Sequence, residues 1–369
     1  MQNKIVLALL MTALITASAF ALEIKGTAPT LVGGGFVSDS TSINCKLKQA
    51  FDDALDEMRD QMGAIKSKPE ALIKAFGDAG IFASHGATQR AYGGYKTFAV
   101  TFGPMVGLRL PGSPFTLIND LSNLSDKLAE EQDLKLGINP QVINAHIGIN
   151  TSKFLLKDLY LGLHFGYMKL DNDTLPLDEI SFGFNNFSLG ATVNYQLVAP
   201  VSRAKGLFLW RGVNVGSGFI YQKTNISAGL GMDEIEQGFD SGGKLTIAPA
   251  LSLNFNIDTF VIPIEVNTAV RLLWFLNIPL GVGVDLGFGK SDLKIGMDAK
   301  ITAELSGYPT ETPGTLSVKA GGDMPPSFFN MKLMSGVGIN LGPVVIDVPV
   351  TWYFIDNGYS VGVSVGFVW

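Results

Sequence analysis

Three histidines, one cysteine and a thin scatter of carboxylates and amines are all that this sequence of 369 residues offers for acid–base, metal or redox chemistry. His146 and His164 are the most suggestive, because they fall on consecutive segments of alternating hydropathy. With the connection between them centred near Leu155, they stand opposite each other within cross-strand reach. Such a pair could sense pH or hold a metal ion; two hydrogen-bonded polar wall residues would give the same pattern. Cys45 alone supplies neither a disulfide framework nor a cysteine zinc module, and it reads as a small buried residue. The stretch GVGVDLGFGKS at 281–291 carries glycines and a lysine, but its spacing fits neither glycine fingerprint for phosphate and no helical pattern follows. Hydrolysis at a lipid surface would need a serine–histidine arrangement on the apolar side. Here His146 and His164 take the polar side and His85 lies in the front segment. No catalytic residue, cofactor or metal is expected, and the chain is not expected to be an enzyme.

The charges inside the alternating segments point elsewhere. Arg109, Glu265, Arg271, Asp285, Lys294, Asp298, Lys300 and Glu304 share the parity of Gly, Ser, Asn and Thr, as does Asp347. With His146 and His164 they are the candidates for lining an interior, where mixed signs would pair across the wall, hold a plug or set weak ion selectivity. Arg211 breaks the rule by sharing the parity of Leu209 and Val213. Either a bulge near Gly212 turns it inward, or it snorkels at an interface.

Composition narrows what could position these groups. Charged residues are 16% of the chain against a usual level of about 25%. Hydrophobic residues make up 47%, Gly numbers 43, and the mean hydropathy is +0.28. That excludes a disordered chain, and a net charge of −6 excludes nucleic-acid binding through bulk charge. Residues 1–21 begin at Lys4, run apolar from Ile5 and close on Ala19-Phe20-Ala21, the pattern of a cleaved secretory signal peptide. No apolar run long enough for a transmembrane helix follows.

The spacing of Leu47, Ala50, Phe51, Ala54, Leu55, Met58 and Met62 predicts an amphipathic helix over 46–62. A shorter helix is expected from Ser67, with Pro69 in its first turn, to Gly77. From about residue 97 the period becomes 2 and stays there. Fourteen alternating segments can be marked, or twelve if the weak ones at 226–232 and 314–321 are dropped, and an even number suits a single-chain bacterial barrel. Leu117, Leu121, Leu124 and Leu128 add an apolar helical stripe in the loop at 115–133. Because the non-apolar face is Gly, Ser, Asn and Thr rather than Lys and Glu, the apolar face is expected to meet lipid.

The last segment, YSVGVSVGFVW, places Val361, Val363, Val365, Phe367 and Trp369 on one face. An exported chain with such an end resembles the Gram-negative outer-membrane β-barrels. That resemblance implies an all-β, antiparallel up-and-down transmembrane barrel over 97–369, surrounded by outer-membrane lipid. It also implies a terminal strand read by the barrel-assembly machinery. A helical segment ahead of about fourteen strands is similar to the long-chain fatty-acid transporter family, whose N-terminal hatch plugs the lumen. Residues 22–96 would then be the hatch, although the Asn-Pro-Ala hatch motif of that family has no counterpart, the nearest being Asn139-Pro140-Gln141. The function expected is passage of small solutes, hydrophobic or not, through a plugged lumen. The alternatives are a structural or surface-adhesion barrel without transport and a general diffusion porin.

Overall fold

Strands alternating β-branched and aromatic residues with small polar ones pair into one large antiparallel sheet. The computed structural model describes residues 23–34, 42–63, 69–85, 95–110, 135–172, 180–231, 234–239, 243–304 and 310–369. Residues 1–21, expected to be a signal peptide, and the helical stripe expected at 115–133 lie outside the described residues. In chain order come β1 (Glu23–Thr27), β2 (Thr30–Leu31), α1 (Ile43–Gly63) and α2 (Pro69–His85). Then follow β3 (Phe98–Arg109), β4 (Gly137–Asn150), β5 (Leu159–Asp171), β6 (Ile180–Val198), β7 (Val201–Arg203), β8 (Phe208–Gly231) and β9 (Ile235–Phe239). The chain ends with β10 (Gly243–Leu272), β11 (Leu276–Glu304), β12 (Thr310–Thr312), β13 (Gly314–Met324), β14 (Phe329–Leu341), β15 (Val344–Tyr353), β16 (Gly358–Gly362) and β17 (Ser364–Val368).

Fifteen of these strands form the sheet, and β2 and β12 pair separately. The ladders run round in a ring: β3 to β4, β5, β6, β8, β10, β11, β14, β15, then β16 with β17, and back to β3. The segments expected from the sequence are all strands, but several run on in line. The weak segment at 226–232 continues β8 as far as Gly231, and β10 and β11 each join two runs of alternation into one strand. Strands β13 and β14 lie end to end along β11. The ring therefore has ten positions around it. Through Gly289-Lys290-Ser291-Asp292, mostly residue types common in turns, the β10–β11 register continues unbroken from Lys244↔Glu304 to Leu272↔Leu276.

Burial runs inside out over most of the ring. On β5, Leu161, Leu163, Phe165 and Tyr167 are exposed while Gly162, His164 and Gly166 are buried. A closed sheet with an apolar exterior and a polar interior satisfies every backbone group without water, which is what hydrocarbon requires. The polarity then reverses along single strands. On β11 the outward residues change from Leu280, Val282 and Phe288 to Lys290, Lys294, Asp298 and Lys300, and the inward ones from Gly281 and Asp285 to Leu293, Ile295 and Ile301. On β10, outward Phe260, Ile264 and Val266 give way to Ser252, Asn254 and Asn256, while inward Glu265 and Asn267 give way to Ile257, Phe255 and Leu251. Past the belt the sheet is an ordinary aqueous one, with its apolar side turned in.

That inner side is covered by the N-terminal segment. Leu251, Phe255, Ile257, Leu293, Ile295 and Ala320 pack on Ile73 of α2. Ile24 of β1 and Leu55 of α1 close a second cluster with Ala299, Ile301, Leu316 and Val318. Strand β1 adds to the edge of β13, Glu23 opposite Lys319.

Candidate functional site

The interior of the ring is occupied from one end by α2. Pro69 opens it at a position where the missing N–H costs nothing, and Glu70 suits the first turn. The helix runs to His85 rather than stopping at Gly77. Gly77 is not a cap but a point of close approach: a Cβ there would strike Ser291. The wall reciprocates. A Cβ on Gly107 would overlap the backbone of Ala79 and Ala83, one on Gly137 that of Ala75, and one on Gly358 the ring of Phe82. At Gly107 and Gly137 helix and strand backbones meet with no side chain between them. Phe82 stacks on Tyr353 with ring centroids 4.1 Å apart, and Ile81 sits against Gly287.

A charged clasp fixes the helix to the rim. Asp78, fully buried, contacts the Arg109 guanidinium and accepts from the Ser327 N–H at 2.6 Å. Arg109 also reaches Asp356 Oδ1 at 2.8 Å, and Ser327 Oγ donates to Asp356 Oδ2 at 2.7 Å. Lys74 stands 3.1 Å from Asp78 and 3.9 Å from Asp356. Burial, and then the neighbouring Arg109 charge, push the Lys74 ammonium down to about 8.

Below the helix the lumen is knit together by polar side chains. Lys332, fully buried, lies 2.5 Å from Glu265 and 2.6 Å from Asp285. Asn139 and Asn186 donate to Thr224 at 2.9 and 2.7 Å, and Asn186 also donates to Asn139 at 2.8 Å. These bonds tie β4 and β6 to β8 from the inside. His146 and His164 are direct cross-strand partners, and their rings lie 3.4 Å from Thr192 and 3.1 Å from Ser188. Gly162 leaves room for the His146 ring and Gly166 for Gln141. Arg211 is turned inward by a bulge in which Gly212 takes φ 75°, and its Nε donates to Asn277 at 3.2 Å.

The sequence-derived candidates therefore separate into two groups. Arg109, His146, His164, Glu265 and Asp285 are buried within the ring, and Arg271 is half-buried at its terminal rim. Lys294, Asp298, Lys300 and Glu304 do not line the interior: they lie exposed on the outer face beyond the belt. Past Phe288 the outer face meets water instead of lipid, so the small polar parity becomes the water side. Val361, Val363, Val365, Phe367 and Trp369 all stand exposed on the ring's exterior. Lys332 is a further inward charge beyond those candidates, and its parity with Gly336, Gly338 and Asn340, opposite Leu333 and Val337, is the signal for it in the sequence. Gly107, Gly137 and Gly358 left no signal, because only the helix gives them a purpose.

A family model described as Lsa36-like matches residues 26–369, from β1 to the terminal tryptophan. The chain belongs to the Lsa36-like family. The match takes in the N-terminal segment and the ring together. No curated protein matches the sequence. Among solved structures, the translocator domain of autotransporter NalP from Neisseria meningitidis is 10% identical, with 86% of this chain and 98% of that one covered at a TM-score of 0.28. LpxR from Salmonella typhimurium is 9% identical, with 73% and 100% covered at 0.25. The Pseudomonas putida toluene transporter TodX is 6% identical, with 82% and 97% covered at 0.21. Scores of this size leave the architecture to rest on the chain's own ladders and burial, which are those of an outer-membrane-type β-barrel.

Proposed function

We propose that this Lsa36-like chain is a closed barrel of the bacterial outer membrane that carries a folded platform on the cell exterior. The observation that supports it is the reversal of polarity along β10 and β11 without a turn. A chain built only to cross lipid has no use for strands of 30 and 29 residues, since a tilted crossing takes about 9–11. Short connections gather at the rim where the chain ends, as at 342–343 and 273–275, and short turns mark the periplasmic side. The platform thus points outward.

Passage of small solutes is the second reading, and the charged clasp favours it. Asp78, Arg109, Lys74 and Asp356 add ion pairs to the apolar packing of α2, and ion pairs can be exchanged for water. Single-channel recording of the full chain in planar bilayers separates the two. Silence in the wild type and in Asp78→Asn supports the display platform. Conductance that appears in Asp78→Asn supports a movable plug, and steady conductance in both supports a diffusion porin. Labelling of intact cells with an impermeant maleimide adds orientation: in a Cys45→Ser background, Lys294→Cys should label and Lys157→Cys should not.

A further inference from the structure

The terminal rim combines three features that together suit a membrane surface. Its turn tips are large and apolar: Phe154, Leu155 and Leu156 are 70%, 60% and 59% exposed, and Leu273, Trp274 and Phe275 are 53%, 57% and 45% exposed. One tip is also held in a conformation that bulky residues avoid, with Leu273 at φ 52° and Trp274 at φ 66°. A turn of this shape facing solvent is ordinarily made from Asn and Gly. The tips are held firmly. Leu273 N–H donates to Leu207 O at 2.8 Å, Trp274 Nε1 to Lys205 O at 3.4 Å, and Phe154 N–H to Thr151 O at 3.0 Å.

The third feature is charge. Lys153, Lys157, Arg203 and Lys205 flank these tips, and no carboxylate lies in ion-pair range of any of them among the described residues. Asp158 is the sole acid within the same turns, in a chain whose net charge is −6. Cations concentrated on an otherwise acidic protein, directly behind apolar tips and continuous with the lipid-facing belt, match a membrane surface carrying phosphates.

We infer that this rim is a docking surface for anionic phospholipid: the turn tips enter the hydrocarbon of the adjoining leaflet, and the four cations seat on headgroup phosphates. Lipid then offsets the strain of the Leu273–Trp274 turn. The inference rests on the membrane reading of the barrel, and its test keeps the two apart.

Full-length protein is folded into phosphatidylcholine vesicles with and without phosphatidylglycerol, in variants that keep one tryptophan, Trp274 or the belt residue Trp352. Both tryptophans should be quenched by acyl-brominated lipid, and Trp274 should be shielded from aqueous iodide. Phosphatidylglycerol should raise the thermal midpoint by several degrees, and replacing the four cations by Gln should abolish that shift. Quenching of Trp352 but not Trp274 would overturn the docking surface while leaving the barrel intact. A midpoint shift that survives the Gln replacements would overturn the headgroup contact. If neither tryptophan meets brominated lipid, the membrane reading itself fails, and the docking surface with it.

Discussion

A glycine inside a strand normally weakens it, yet Gly107, Gly137 and Gly358 are where the helix sits closest to the wall. Their worth lies in what they omit. Gly358→Ala should cost about 1–3 kcal/mol through overlap with the Phe82 ring, seen as a lower temperature for the loss of folded gel mobility. The double change Gly358→Ala with Phe82→Leu should recover most of it; no recovery would mean that the glycine serves the backbone instead. Lys332 stands between two buried carboxylates. Removing it as Lys332→Met should cost about 3–5 kcal/mol, because both acids lose their counter-charge. Adding Glu265→Gln and Asp285→Asn to that variant should restore the midpoint. Lys74 carries the pH dependence. Its ammonium is held down to about 8 in the fold and returns to the ordinary lysine value on unfolding. Between those values the unfolded chain binds more protons, so this group adds stability as pH rises from 8 towards 10. The midpoint difference between wild type and Lys74→Met should move in favour of the wild type over that window, and a flat difference would refute the assignment.

Individual strands show how far one pattern can be trusted. The alternation of β10 and β11 never slips, but the meaning of each parity changes where the strand leaves the belt. Val282 and Lys294 share a strand and a parity, one turned to lipid and the other to water. Val282→Lys should cost about 2–4 kcal/mol and sharply reduce folding into bilayers. Lys294→Gln should leave folding yield unchanged, and equal yields for both would place the belt elsewhere. The helix α2 teaches the complementary lesson. Gly77 looks like a stop signal, but in the structure it is an opening in the helix surface that admits Ser291. Interior glycines cost about 1 kcal/mol each in helix propensity, and close packing against the wall is what the helix has in return.

At the scale of the molecule, the N-terminal segment and the terminal rim lie at opposite ends. Strand β1 pairs with β13 beyond the belt, whereas β3 begins at the rim where Trp369 accepts from the Thr97 N–H at 2.6 Å. A chain so arranged should present β1 together with the platform. In a Cys45→Ser background, Lys25→Cys should therefore label on intact cells as readily as Lys294→Cys. Labelling only after the outer membrane is opened would put the N-terminal segment on the other side and remove the platform.

The sequence by itself determined the strands, their parity and the character of the belt, because a period of 2 with lipid outside and polar atoms inside leaves its mark on every residue. It also gave the cross-strand partnership of His146 and His164, since register follows from a short connection between two regular strands. Tertiary structure alone decided that ten positions close the ring, that Lys294, Asp298, Lys300 and Glu304 face water, and that three glycines seat a helix. Each of these depends on what lies across a gap from the residue. A linear pattern records only the contrast between the two faces of a strand; which neighbour supplies that contrast is settled when distant segments meet.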